Sequence, residues 1–481
     1  MWTQRDQIQA YQFLRRRLVS ALVTADANHP SSPSRRLVLG TVVGVAAAVL
    51  TAAVFGVIGL LDPTGAADWQ QGGQVIVEKE TGARYVLGQD GLLHPVLNYA
   101  SARLLAGGNA NTTVTVSASQ LSSASRGAML GIPGAPDSLP ASASLADTGF
   151  ATCTRTPPDL PAATEPTSTV VVGASGDAGA PLAPGHGLLV SLPSGGLYLV
   201  TAGHRFRLVD QAAAAALGYE GDPTVPVSDN WLDTVPAGRD LGLIAVPDSG
   251  ADGPSVGGRS TRVGQVLGDG EFYLVHADGL APISRTEADL VLDDAANAAA
   301  YPDEQPTVVR VPVSAVDGAP RSASAGVGAN DASTDGAAGY PRTPPVVTAT
   351  DPNVVLCAFG DGQDNAEITV RRALPLPPGG KVMPVGARTD DRVANEVYVP
   401  PGSGALVREQ VGDGDGIGTM YLVTDAGQKY PVPTTDALAA LGYAGTSPHQ
   451  VSGTLLALLP TGPTLDPTAA RESVVSTGGA R

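Results

Sequence analysis

The stretch YLVTDAGQKYPVPTTDALAALGY, residues 421–443, repeats most of the words of YLVTAGHRFRLVDQAAAAALGY, residues 198–219. The shared AALGY spans Ala215–Tyr219 and Ala439–Tyr443, an offset of 224 residues. At that offset and without a gap, Val227 and Ser228 meet Val451 and Ser452, Leu232 meets Leu456, Pro236 meets Pro460, Gly238 meets Gly462 and Leu241 meets Leu465. A register held over this length marks an internal duplication.

Two weaker copies share the pattern. Tyr85-Val86-Leu87 opens one in which Val116, Ser117, Leu121 and Gly127 take the places of Val227, Ser228, Leu232 and Gly238. Tyr273-Leu274-Val275 opens another that reaches Val313 and Ser314. From the tyrosine to the Val-Ser pair the chain runs 31, 29, 40 and 30 residues in the four copies, so the third carries an insertion. Each copy reads as an apolar strand, a Gly/Asp turn, a strand carrying Tyr-Leu-Val or its variant, a short Ala-rich helix stopped by Gly, a Val-Ser strand and a closing apolar turn. A unit of about sixty residues buries little surface alone and has to pack on neighbours.

Outside the repeats, Leu37 to Leu61 holds twenty-five residues without a charge. As a helix it reaches about 37 Å, enough to cross a bilayer core. Residues 1–36 precede it, which disfavours a cleaved signal peptide. Six arginines against two aspartates give those residues a balance of +4 and leave −21 of the chain's −17 to the rest. The positive-inside bias therefore puts the N-terminus in the cytoplasm and residues 62 onward outside. An acidic exterior does not neutralise phosphates, so nucleic acid is excluded as a partner.

The two cysteines, Cys153 and Cys357, both fall on the exterior side. In an oxidising compartment they are most simply a disulfide, with two unpaired buried thiols as the alternative. The expected fold is an N-terminal helix and a single transmembrane helix, then an α+β, β-rich exterior of four repeat modules around a disulfide-linked central β domain. The boundaries are 1–36 for the cytoplasmic helix, 37–61 for the span, and 72–140, 184–250, 260–318 and 399–466 for the modules. The central domain takes 141–183 and 335–398, and 467–481 is a flexible tail. Residues 319–345, rich in Ala, Gly and Pro, read as an exposed linker.

The opening segment TQRDQIQAYQFLRRRLVSALV is an amphipathic helix with Ile8, Tyr11, Leu14, Leu18, Val19 and Leu22 on one face, although Arg15 lies inside that arc and Phe13 outside it. Such a helix suits an anionic membrane surface or a partner protein. Gln7, Gln9 and Gln12 add little to lipid attraction, which favours a partner, with Ile8, Tyr11, Phe13, Leu14 and Leu18 as its contact residues.

The segment RDQIQAYQFLRRRLVSALV, the single span, the exterior copies with their cysteine pair and LGIPGAPDSLP (residues 130–140) together resemble EccB, the bitopic core component of actinobacterial type VII (ESX) secretion systems. The resemblance covers essentially the whole chain. It implies a membrane-complex subunit beside EccC, EccD and EccE, with a mycosin protease on the outer side, and it carries the family's paired cysteines onto Cys153 and Cys357.

Some family members are described as ATPases, but the only Gly-Lys here, Gly380-Lys381, is followed by Val382 and lacks the P-loop pattern. GPSVG, residues 253–257, matches a nucleophile elbow formally but lies in a Gly/Ser/Pro linker. VGDGDGIG, residues 411–418, offers Asp413 and Asp415 but has Ile417 where a calcium loop needs an oxygen, so it reads as a hairpin turn. His29, His94, His186, His204, His276 and His449 are scattered without metal-ligand spacing. No catalytic, metal or cofactor residues are therefore assigned. A hydrolase would need a pocket of convergent polar groups, and a glycan-binding module would need aromatic platforms, which 4% aromatic content does not supply.

Overall fold

The structure, a computed structural model, describes residues 3–25, 33–61, 69–107, 112–146, 149–156, 165–174, 179–323, 339–351, 353–360, 366–386, 392–411 and 418–474. Chain contacts divide it into two units, one of residues 1–71, 76–82 and 114–124, the other of 72–75, 83–113 and 125–481.

The first unit is dominated by two helices, Gln4–Thr24 and Pro33–Leu61. Thr3 caps the former: its N–H and hydroxyl both donate to the Asp6 carboxylate, at 3.0 and 2.7 Å, a capping box that satisfies orphan donors of the first turn. Those bonds hold the Asp6 carboxyl below the usual carboxylate range. Within the latter, Val38–Val57 is the one stretch among the described residues long and apolar enough to cross a membrane, at a mean hydropathy of 2.4.

The second unit is β-rich. Its centre is a seven-stranded sheet in the order Met383–Pro384, Glu396–Tyr398, Thr167–Val172, Phe150–Arg155, Val355–Phe359, Glu367–Arg371, Ala180–Pro181. All neighbours are antiparallel except Glu396–Tyr398 on Thr167–Val172. Strands from both cysteine-bearing halves thus share one sheet, and Cys153 sits directly opposite Cys357 with their sulfurs bonded. Side chains alternate across a sheet. One face carries Ala151, Cys153, Val171, Val355 and Cys357. The other carries Phe150, Val170, Val172, Leu356 and Ile368, and two short helices bury themselves on it.

Those helices belong to two similar sheets. In one, His186–Ser191, Leu197–Thr201 and His204–Leu208 run antiparallel in succession, and Thr224–Pro226 returns parallel to the first strand. In the other, Gly404–Gln410, Met420–Thr424, Lys429–Val432 and His449–Ser452 follow the same order and directions. A three-stranded sheet of Val266–Gly268, Phe272–His276 and Gly279–Ile283 receives Val309 as a parallel bridge on Leu267.

A closing turn crosses the edge of each hairpin in the same way. Leu93, Arg205, Leu280 and Lys429 donate to the carbonyls of Ser125, Pro236, Pro320 and Pro460, and accept from the N–H groups of Gly127, Gly238, Ser322 and Gly462. At Gly127, Gly238 and Gly462 an added Cβ would meet the rings of His94, Phe206 and Tyr430 closer than real Cβ atoms come. Ala281, opposite Leu274 as Tyr430 is opposite Leu422, supplies no ring, and there Ser322 replaces the glycine. Gly462→Ala is expected to destabilise the second unit by about 1–3 kcal/mol through overpacking on Tyr430. Denaturant melts of the variant, with Tyr430→Ala combined to relieve the clash, check this; a Gly462→Ala midpoint equal to that of the parent sinks it.

Three details differ from the expectations above. The Val-Ser pairs are strand ends whose serine caps a helix: Ser117, Ser228 and Ser452 precede Ala118–Leu121, Asp229–Asp233 and Gly453–Ala457. Where Val313 and Ser314 were expected to hold the corresponding place, it is held by Val311 and Pro312, before helix Val313–Asp317, and Val313 is exposed. Proline takes a cap position because it needs no N–H there, and the chance Val-Ser two residues on obscured it. Residues 467–474, expected in a flexible tail, are folded: Pro467–Ala470 is a helix capped by Asp466, Ala470 is fully buried, and Ser473 bridges Leu130. Only the residues from 475 on, which dominate the tail's Gly/Ser/Thr composition, lie outside those described.

Candidate interaction surfaces

Helices of the second unit pack in two pairs. Helix Tyr99–Ala106, capped by Asn98, packs on Thr435–Leu441, capped by Thr434, through Ala100, Leu104, Leu438 and Leu441. Helix Gln211–Ala216, capped by Asp210, packs on Arg285–Leu292, capped by Ser284, with Leu290 joining the core around Ala213 and Leu217. Tyr443 donates its hydroxyl to Pro140 O at 2.7 Å, and Tyr219 donates to Pro345 O at 3.1 Å. Burial pushes both phenols up, so each stays a neutral donor. The repeated AALGY tyrosine therefore clamps the segment that next runs parallel onto the first strand of its own sheet: Leu145 on Gly404, and Val346–Val347 on His186 and Gly187.

The motif LGIPGAPDSLP wraps the start of helix Tyr99–Ala106. Ile132 N donates to Ser101 Oγ, Asn98 Nδ2 to Ile132 O, and Ala100 N to Pro136 O. Arg84 reaches Asp137 at 2.6 Å. Its residues thus fix a helix end and hand the chain to Tyr443, which accounts for two glycines at positive φ, Gly131 and Gly134, in so short a run.

Of the residues singled out for partner contact, Ile8, Tyr11, Phe13, Leu14 and Leu18 are all between 56% and 71% exposed. The Arg17 guanidinium lies 5.6 Å from the Phe13 ring. Ile8, Tyr11, Leu14 and Leu18 share one face, with Phe13 beside it, and all are solvent-exposed apolar side chains on one helix. The candidate enzyme motifs do not gather. Gly380 closes a turn onto Pro377 O, exposed Lys381 follows, and the chain continues into strand Met383–Pro384 where a P-loop needs a helix. Ser255 sits in a loop bracketed by the bridges Asp252–Arg262 and Val256–Arg259, with its hydroxyl on Arg259 O. Residues 412–417, with Asp413 and Asp415, lie outside the described residues, as does His29. His94 is held by Asp90 and Ala128 O, His186 and His204 by nearby carbonyls. Among the described residues no group of three His, Cys, Asp or Glu is placed to hold a metal ion.

A cleft of about 810 Å³ lies along residues 242–248, with Val209, Val263, Leu274 and His276 among its walls. Asp240, Asp248 and Asp278 also line it, and Arg239, the cation there, stacks on Tyr340 at 4.7 Å. This charge balance repels a nucleotide's phosphates. Sequence reasoning missed the cleft because its walls come from segments up to 131 residues apart, Val209 to Tyr340.

With this geometry in view, the comparisons with known proteins are decisive on kinship. The family model described as "Type VII secretion system ESX-1, transport TM domain B", that of EccB, matches residues 1–475. The chain belongs to the EccB family. Among curated EccB proteins it is similar to "ESX-3 secretion system ATPase EccB3" of Mycolicibacterium smegmatis, 30% identical, covering 96% of this chain and 89% of the relative. The "ESX-1 secretion system ATPase EccB1" of the same species is 29% identical, covering 97% and 94%. Among solved structures, a chain of an intact ESX-5 inner membrane complex matches with a TM-score of 0.66 at 25% identity, covering all of this chain and 97% of the other. A chain of the EccB3 dimer from the ESX-3 core complex matches at 0.64 and 28% identity, covering 83% and 99%.

Proposed function

We propose that the chain is a non-catalytic structural subunit of a type VII secretion membrane complex. Helix Pro33–Leu61 anchors it once in the plasma membrane with its N-terminus in the cytoplasm, and residues from 72 on stand outside. The observation that carries this is the match along the whole chain to a chain of an ESX inner membrane complex. The basic balance of residues 1–36 supports the orientation.

On this reading helix Gln4–Thr24 docks through Ile8, Tyr11, Phe13, Leu14 and Leu18 on membrane subunits of the EccC, EccD and EccE type. The outer body contacts further copies of itself and a mycosin-type protease. We also infer that the outer body consists of four copies of one module around the disulfide-linked sheet, the first copy beside the fourth and the second beside the third. The four equivalent closing-turn bond pairs and the four capped helices support this.

Relatives carry the word ATPase in their names. For this chain, the turn at Gly380-Lys381 and the acidic cleft both speak against hydrolysis. Leu14→Asp with Leu18→Asp is expected to cut co-purification with the membrane subunits by about tenfold or more, while the outer body keeps its melting behaviour and the purified chain leaves ATP intact. Unchanged co-purification together with ATP turnover refutes the proposal.

A further inference from the structure

The segment 242–248 has the bonding pattern of a strand with one edge filled and the other open. Ile244 donates its N–H to Leu290 O and accepts from Asn297 Nδ2 on its carbonyl. Val246 donates to Asn297 Oδ1 at 2.8 Å. Asn297 is fully buried and its amide also donates to Val291 O, so it holds the segment rigidly against helix Arg285–Leu292. Leu243 and Ala245, the alternate residues, have N–H and C=O groups that meet no partner among the described residues, and both line the cleft. Alternate residues of an extended chain turn their main-chain groups to opposite sides, so these two pairs of free groups face the same way.

An open main-chain edge along a cleft is what an incoming strand requires. The side walls say what that strand carries. Val209, Leu243 and Ile244 offer apolar surface, backed by buried Val263 and Leu274. Asp240 and Asp248 are exposed with no side-chain partner among the described residues. Asp278 is occupied by Ser322 and the Ala323 N–H but adds its charge. His276 stands in the wall with its Nε2 buried and without a hydrogen-bond partner, an acceptor or donor left over for an occupant.

We propose that this cleft binds an extended segment of a partner protein, alternating apolar and basic side chains, added as a strand along Leu243 and Ala245. Its main chain bonds to those two residues, its apolar side chains face the cleft wall, and its lysines or arginines meet Asp240 and Asp248. The site lies wholly in the second unit and stands whether or not the N-terminal helix docks on membrane subunits.

The test uses the full chain in detergent and a short fluorescent peptide of alternating valine and lysine, capped at both ends, with binding read by anisotropy. Three comparisons follow: the same peptide with glutamate for lysine, the same peptide N-methylated on alternate residues, and the Ala245→Pro variant. Proline there deletes one N–H that the fold does not use and leaves Ile244 extended. Binding is expected for the valine–lysine peptide only, weakened about tenfold by Ala245→Pro, the value of one main-chain bond well made. Should that variant unfold, Asp240→Asn with Asp248→Asn, both at exposed positions, is expected to weaken binding and flatten its salt dependence. Equal binding of the methylated peptide, which keeps every charge, overturns the proposal. So does an Ala245→Pro variant that binds as the parent, or one whose only change is a loss of self-association, which assigns the edge to a second copy of this chain.

Discussion

Replacing Cys153 and Cys357 together with alanine is expected to lower the stability of the second unit by about 5 kcal/mol in the chain-entropy view of a cross-link. The bond closes a loop with a sequence separation of 204 residues, and inside that loop lie two whole sheets with their helices. The native sheet has no need of the bond for its geometry. Cys153 and Cys357 are already a directly opposed pair in a ladder that runs from Thr154–Leu356 to Ala151–Phe359. Both side chains are fully buried, and alanine removes one sulfur from each, which leaves only a small void. The loss is therefore expected in the unfolded chain, which gains freedom, and the folded variant keeps its secondary structure. Urea titration reads both parts: the midpoint falls, and the slope rises because the uncrosslinked unfolded state exposes more surface. A midpoint equal to that of the parent would falsify the entropic role of the bridge.

Much of this architecture was legible because local pattern and tertiary role coincide. The 224-residue register survives in the structure as two sheets of identical strand order. Gly238 and Gly462 recur because a ring, Phe206 or Tyr430, occupies the space a side chain would need. The AALGY tyrosines recur because each clamps a proline carbonyl. The cysteines were legible as a pair because no others exist. What stayed hidden is non-local or carried by the main chain. Order along the chain says nothing of which helices meet, and Tyr99–Ala106 meets Thr435–Leu441 across more than three hundred residues. The place expected of Val313 and Ser314 was misregistered because the helix there begins after Pro312, whose cap depends on backbone geometry that a Val-Ser search does not see. The cleft along 242–248 was invisible for the same reason: Leu243 and Ala245 offer N–H and C=O groups, which every residue has.

Trp231→Ala is expected to cost about 3–5 kcal/mol, as large aromatic truncations in a closed core do. Trp231 is fully buried in the second turn-helix, Asp229–Asp233, where it packs with Leu232 and Val235 against Leu356 and Ile368 of the central sheet. Its indole N–H also donates to Thr152 O at 3.1 Å, while Thr152 and Thr234 share a hydroxyl bond at 2.7 Å and Ser228 N reaches Thr154 Oγ1. The residue therefore nails one peripheral sheet to the strand that bears Cys153. Leu455, at the same place 224 residues on, does so for the other sheet with apolar contact alone. The two positions separate the contributions. Leu455→Ala is expected to cost about 2–5 kcal/mol from lost packing, and Trp231→Phe about 1–2 kcal/mol, from the lost indole hydrogen bond and a small residual void. Amide exchange locates the damage: with Trp231→Ala, protection drops in Val355–Phe359 and Glu367–Arg371 as well as in the sheet of His186–Ser191, since all three lose one shared core. Loss confined to His186–Ser191 and its neighbours, with the central strands protected as before, would mean that the peripheral sheet is an independently folding attachment, and Trp231 would then hold its own module together without joining it to the rest.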